Sequence, residues 1–379
     1  MPTLFDPLQV GDLTLPNRII MAPLTRKRAG DERVPNALMA KYYAERASAG
    51  LILTEATSVT PQGVGYAATP GIWSQEQVAG WKLVTEAVHT AGGRIFLQLW
   101  HVGRMSDPIF LNSDLPVAPS AIAPQGNVSL VRPPRSFVTP RALDLAEIPG
   151  IADAYRTGAR NAKAAGFDGI EMHGANGYLL DQFLQDSTNH RTDAYGGSIE
   201  NRARLLLEVT DACIDVWGAN RVGMHLAPRG DVGTMGDSDP AATFGYVARE
   251  LGKRRIAFIA ARESLGENRL GPKLKAAFGG PYIANEKLTR ASAQQTLDAG
   301  EADAVAWGQL FIANPDLPRR FKLDAPLNQP NPSSYYAEGE TGYTDYPVLQ
   351  MADLSLGVDT RGTRRRDHAV EVALCEPRH

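Results

Sequence analysis

The chain has 379 residues, 43% of them hydrophobic and 21% charged, and its 39 basic against 42 acidic residues leave a net charge of −3. That is ample apolar material for a large core, and the lack of a basic excess argues against nucleic acid as a partner. The two cysteines, Cys213 and Cys375, lie far apart and form no C-x-x-C, which argues against a disulfide framework, an iron–sulfur cluster and a cysteine-type zinc site.

From the N-terminus, Met1 to Asn17 carries Asp6 and Asp12 but no apolar h-region, so no secretory signal is expected. No apolar run approaches the ~20 residues needed to span a bilayer. The expectation is a soluble cytoplasmic protein, monomeric or homodimeric, with no membrane partner. Leu8-Gln9-Val10 and Leu13-Thr14-Leu15 flank a Gly11-Asp12 turn signal and predict a small hairpin. Arg18 to Ala22 reads as a buried strand. Pro35 to Ala49 has a helical period, with Gly50 as its stop, and Gly50 to Thr54 is the next strand. A helix over Gln75–Ala91, a strand over Arg94–Trp100 and a helix over Ile148–Ala165 follow, then a strand over Gly169–His173.

Ser198 reads as the N-cap of a helix whose apolar stripe is Leu205, Leu206, Val209, Ala212, Cys213 and Val216. That stripe makes Cys213 a core residue. Strands over Val222–Leu226, Ile256–Ala260, Tyr282–Ala284 and Ala304–Trp307 are separated by helices near Pro240–Gly252, Gly271–Phe278 and Thr289–Ala299. Parallel strands covered on both faces are apolar throughout, as these are. Eight βα units therefore predict an α/β fold, a closed (β/α)8 barrel, over 1–350. Two segments break the rhythm. His101 to Pro140 has seven prolines and reads as an excursion capping the barrel mouth; Asn328 to Pro347 reads as a wrap back onto the barrel. The polar tail 351–379, with Arg361, Arg364, Arg365 and Arg366, is expected to be mobile.

Barrel chemistry gathers at the C-terminal ends of the strands. Those ends carry Thr25, Ala56, Gln98 with Trp100, His173, His225, Arg262, Asn285 and Gly308. This inventory of amides, imidazoles and aromatic surface suits a flat ligand, and without a cluster of carboxylates no metal is expected. In Gly169 to Tyr178 the strand sets an imidazole (His173), a carboxamide (Asn176) and a phenol (Tyr178) side by side. Two of these can donate to an oxygen gaining charge and the third can supply a proton. On that stretch alone, a satisfied strand-end histidine and a packed rim tyrosine explain the residues equally well. Gly63-Val64-Gly65-Tyr66-Ala67-Ala68 fits G-x-G-x-x-A, but Pro61 and Pro70 bracket it and no helix opens there, so a dinucleotide loop is not expected. Arg229-Gly230-Asp231 reads as a solvated loop.

Five ordered blocks resemble the Old Yellow Enzyme family: Met21 to Arg26, Gln98 to Arg104, His173 to Tyr178, the run from Arg191 through Tyr195-Gly196-Gly197-Ser198 to Arg202, and Ile312 to Asp316. The resemblance runs from Leu4 to Tyr346 and is nearest to the bacterial xenobiotic reductase branch. It implies a (β/α)8 barrel that holds FMN, takes its electrons from NADPH or NADH, and reduces activated C=C bonds of unsaturated carbonyl or nitro compounds, with nitrate esters or nitroaromatics as further substrates. By position, Pro23, Thr25, Ala56 and Gln98 would line the flavin, His173 and Asn176 bind the substrate oxygen, and Tyr178 donate the proton. Tyr66, Trp100 and Tyr343 would wall the pocket, and Asn285, Gly308 and Gln309 hold the phosphate. The chain departs from the family at His225 and Gln309, where arginine is usual, and at Ala284-Asn285-Glu286-Lys287, which replaces a glycine-rich turn. His225 or Arg262 would then balance the charge of the reduced flavin. A flavin-free barrel lyase or isomerase needs a Schiff-base lysine or a paired carboxylate base at a strand end, and Glu55 and Glu171 have no evident partner in sequence. A non-catalytic flavin- or ligand-binding barrel is the other alternative, since fold alone does not fix activity.

Overall fold

The computed structural model describes residues 1–350, so the expectation for the tail lies outside the described residues. β1 (Leu8–Val10) and β2 (Leu13–Leu15) form the expected hairpin, with Leu8 opposite Leu15. β3 (Ile19–Met21), α1 (Ala37–Ala44), β4 (Leu51–Leu53) and α2 (Gln75–Thr90) follow, with the two-residue β5 (Thr57–Ser58) between β4 and α2. Then come β6 (Ile95–Trp100), the capping excursion with its short parallel pair β7 (Val117–Ala118) and β8 (Arg141–Ala142), α3 (Ile148–Ala164) and β9 (Gly169–Gly174). The second half runs α4 (Leu179–Leu184), α5 (Ile199–Trp217), β10 (Val222–Leu226), α6 (Pro240–Arg254), β11 (Phe258–Arg262), α7 (Gly271–Phe278), β12 (Tyr282–Asn285), α8 (Arg290–Asp298), β13 (Ala304–Trp307), α9 (Gln309–Ala313) and α10 (Leu317–Leu323).

Eight of these strands, all parallel, close into a barrel in the order β3-β4-β6-β9-β10-β11-β12-β13, with β13 pairing back to β3. The (β/α)8 expectation holds. The barrel interior is filled by Ile20, Leu51, Leu53, Phe96, Phe258, Ala260, Ile283 and Ala304, and Val10 and Leu15 of the hairpin pack into the same cluster. Two strand glycines make room for its large rings. A Cβ on Gly169 would come within 2.3 Å of the Phe96 ring, and one on Gly223 within 2.2 Å of the Phe258 ring. The layer between strands and helices holds the larger core, including the α5 stripe; Cys213 is fully buried in it, and burial pushes its thiol up. Among the described residues, no helix is long and apolar enough to cross a membrane.

Most boundaries shift by a residue or two from the sequence reading, and two of the shifts have a visible cause. α1 stops at Ala44, capped by Glu45, so Gly50 does not end it. The buried Arg46 turns its guanidinium onto the carbonyl of Tyr42, one turn back, and onto those of the distant Phe311 and Ile312, while the backbone beyond Glu45 goes on in tighter turns, Arg46 to Tyr43 and Ala47 to Ala44. β11 starts at Phe258, two residues later than the apolar run, because pairing with β10 begins at Gly223 opposite Phe258. Both irregular segments lie where expected. Phe137 of the excursion packs into the cluster of Ala56, Trp100, Val102 and Met105 at the strand ends, and Arg104 ties the excursion down through the carbonyls of Ile122 and Gly233. The 328–347 segment is held by Arg26 and Arg28, which donate to the carbonyls of Tyr335, Thr341 and Gly342.

Candidate active site

The floor of the mouth is polar and closely tied. Gln98, at the end of β6, donates from Nε2 to Glu171 Oε2 at 2.8 Å and stands 3.3 Å from His225 Nδ1. Glu171 comes from β9 and is fully buried; its Oε2 lies 3.8 Å from His225 Nδ1. With Gln98 as donor, His225 accepts at Nδ1 and carries its hydrogen on Nε2, which is buried without a partner, as is Glu171 Oε1. The carboxylate that looked solitary in sequence thus has two neighbours, brought in by the register that sets Gln98 beside Glu171 and His173 beside His225.

His173 stacks on His225 with ring centroids 5.4 Å apart. Its Nδ1 accepts the Ala175 N–H at 3.3 Å, so the neutral ring presents Nε2–H. Burial, then the neighbouring His225 and Arg262, hold its pKa well below the usual 6.5, so the ring is neutral near pH 7. Asn176 sits at φ 56°, a left-handed conformation that asparagine tolerates, and its Oδ1 accepts from Arg262 Nη1 at 3.2 Å. That bond leaves Nδ2 as the free end. Neither His173 Nε2 nor Asn176 Nδ2 bonds to any described residue. Two N–H donors, three residues apart, are therefore kept for something else.

Tyr178 stands edge-on to His173 at 4.9 Å and to Trp100 at 4.8 Å, and its hydroxyl is 2.8 Å from that of Tyr66. Burial, then the Tyr66 phenol, push its pKa well above the usual 10, so it remains protonated. Trp100 is anchored by Nε1–H to Ser58 Oγ at 2.9 Å and stacks on Tyr66 at 5.5 Å. Ala56 is buried against Trp100, while Pro23 and Thr25 are half-buried on the segment after β3.

The structure does not bring Tyr343 to this group. It is fully buried, stacked on Tyr42 at 4.0 Å, with Arg26 and Arg28 against its ring. Tyr336, seven residues earlier, is the tyrosine of that segment that stands near Tyr178 and Tyr66. The sequence did contain a signal, the Tyr335-Tyr336 pair in the wrapping segment, but offered no way to rank it above Tyr343. At the far side, Asn285 is tied by Nδ2–H to the Ala306 carbonyl at 2.8 Å, and Gln309 is exposed at the start of α9. Gly308 faces Leu24, to which a Cβ would approach within 3.1 Å. Arg262, the other candidate to balance flavin charge, is instead directed to Asn176 and to Glu286, 2.6 Å away.

Residues 3–328 match the NADH:flavin oxidoreductase / NADH oxidase family. The chain belongs to that family. A 12-oxophytodienoate reductase 1 of Oryza sativa subsp. japonica is 43% identical over 366 residues, covering 92% of this chain and 94% of the relative. A probable flavin mononucleotide-dependent alkene reductase of Leishmania infantum is 43% identical over 355 residues, covering 91% and 97%. Among solved structures, the old yellow enzyme homologue from Zymomonas mobilis superposes with a TM-score of 0.90 at 46% identity, covering 92% of this chain and 100% of that one. Morphinone reductase in complex with tetrahydroNAD gives 0.90 at 49%, covering 93% and 99%. This protein is an FMN-dependent NAD(P)H oxidoreductase of the ene-reductase kind, as the resemblance implied.

The residues present fit the flat end of FMN. The orphaned His225 Nε2 and the Gln98 amide form a polar floor, bordered by Ala56 and the half-buried Pro23 and Thr25. In the turn after β12, where the resemblance put one side of the phosphate, two consecutive residues have positive φ, Glu286 at 109° and Lys287 at 54°. Lys287 is exposed and is the one cationic side chain among 284–287 and 308–309.

Proposed function

We propose that the protein reduces the activated C=C bond of an α,β-unsaturated carbonyl or nitro compound, with His173 and Asn176 holding the substrate oxygen and Tyr178 protonating carbon. The observation that carries this reading is the pairing of two free, oriented N–H donors with a separate phenol held in its protonated form. Bound FMN, recharged by NADPH or NADH, supplies the hydride. Negative charge then develops on the substrate oxygen, where His173 Nε2–H and Asn176 Nδ2–H stabilise it best in the transition state. The carbon that takes the proton lies away from that oxygen, so the acid has to be a distinct group, and Tyr178 stands edge-on beside His173. Trp100 and Tyr66 give the flat apolar wall. Relatives named for an alkene and for an oxo-diene acid support this substrate class. Pro23, Thr25, Ala56 and Gln98 would line the flavin, with Asn285, Gly308 and Gln309 at its phosphate. A cytoplasmic location, where nicotinamide reductant is available, and a monomer or homodimer belong to the same reading.

The test is Tyr178→Phe, followed by stopped-flow in both half-reactions. Flavin reduction by NADPH is expected to keep its rate, while reoxidation by 2-cyclohexen-1-one slows by roughly 10²–10⁴-fold, the usual worth of a positioned acid. Equal slowing of both, or of neither, contradicts the assignment.

A further inference from the structure

Glu286 is the outlier of the backbone. The other described non-glycine residues with positive φ lie between 51° and 73°, inside the left-handed helical region, whereas Glu286 is at 109°. A side chain held there is strained, and such strain persists only where the surroundings enforce it. Among the described residues the strained Glu286 makes one ion pair, Arg262 Nε to Glu286 Oε2 at 2.6 Å, with the arginine side chain 40% and the glutamate 17% exposed. With its arginine side open to water, the pair contributes no more to stability than the strain costs. What the pair does achieve is placement. Arg262 ends β11, and with Nε committed to Glu286 its Nη1 reaches Asn176 Oδ1 at 3.2 Å, on the loop after β9. One guanidinium fork thus joins a strained turn to the residue proposed to hold the substrate oxygen.

We propose that Arg262, tethered by Glu286, is a positioning residue of the oxyanion site: it grips Asn176 by the carbonyl oxygen so that the amide nitrogen faces the substrate. This rests on the reading of His173 and Asn176 given above. An amide free to turn can present its oxygen instead of its nitrogen, and an oxygen facing a developing oxyanion repels it; a cation on Oδ1 removes that orientation. The same charge acts on His173. The groups facing His173 are Trp100 from β6, His225 from β10, Arg262 from β11 and Tyr178 from its own loop, with Glu171 two residues earlier on β9. Arg262 is the one permanent cation in that set, and it favours the neutral donor ring.

The experiment uses the FMN-loaded enzyme, with 4-hydroxybenzaldehyde as the oxyanion ligand and binding read from the flavin absorbance. Arg262→Met is expected to weaken binding roughly tenfold, the size of one charge-assisted hydrogen bond. In an Asn176→Ala background the same change is expected to cost less than about twofold, because the amide it grips is gone and the His173 ring, held neutral first by burial, stays a donor without Arg262. In parallel, an NMR titration of the His173 ring is expected to move to higher pH in Arg262→Met. It is expected to stay in place in Arg262→Lys, which keeps the charge but loses the fork and so weakens the ligand as the Met variant does. Wild-type affinity in Arg262→Met, or a loss undiminished in the Asn176→Ala background, overturns the proposal. Should the Met variant not fold, Arg262→Lys carries the same double-variant comparison. If Asn176→Ala itself binds the ligand like wild type, the underlying reading of the site fails; if it binds weakly and Arg262 proves uncoupled, only the present inference fails.

Discussion

His173 and Asn176 act as donors because each has its accepting end occupied, His173 Nδ1 by the Ala175 N–H and Asn176 Oδ1 by Arg262. Removing either donor leaves a developing oxyanion with half its support. His173→Ala and Asn176→Ala are each expected to lower turnover of an enone by ~10²–10³ while the protein keeps its flavin. Steady-state kinetics on flavin-replete samples check this, and unchanged turnover in both sinks the assignment. Six mouth residues chosen from sequence, Tyr66, Gln98, Trp100, His173, Asn176 and Tyr178, do meet in space. Their partners were not legible. Glu171 meets residues 73 and 54 positions away, and Arg262 reaches Asn176 across 86, separations at which local pattern carries no information. Tyr343 was misplaced for the same reason, since its burial against Tyr42 depends on how the 328–347 segment folds back.

Elements were legible where one local signal decided them. Ser198 does cap α5 by accepting from the Asn201 N–H, and the helix buries the stripe that was read from its period. The end of α1 was not, because buried bonds from Arg46 override propensity. Beside it, Glu55 makes a pH-dependent contact. Its carboxyl accepts from the Arg26 N–H and the Tyr43 hydroxyl, yet burial raises its pKa from 4.5 to about 7. A carboxyl with a raised folded pKa binds its proton more tightly in the native state. The stability this contributes is fully present below about 4.5 and is lost as pH rises through about 7, up to roughly 3 kcal/mol. Glu55→Gln, which mimics the protonated form, is therefore expected to melt progressively above wild type as pH goes from about 5 to about 8. Parallel melting curves for the two proteins would show that Glu55 is not the titrating group. His101, whose pKa burial lowers from 6.5 to about 3, has the opposite sign and is common to both proteins.

At the scale of the molecule the barrel was the most legible feature, because strands buried on both faces write continuous apolar runs and eight of them leave few other folds. A floor of Gln98, Glu171 and His225, a wall of Trp100 and Tyr66, and an acid at Tyr178 all stand at the ends of barrel strands or on the loops that follow them. What the whole assembly has to do is cycle a flavin between two partners. The most direct measurement is the anaerobic absorbance spectrum of the purified protein, followed through addition of NADPH and then of 2-cyclohexen-1-one. The account predicts oxidised-flavin bands that bleach with NADPH and return, one equivalent for one, with the enone. Flavin that bleaches but does not return with the enone, or a protein that purifies without flavin and takes up none from added FMN, would contradict it.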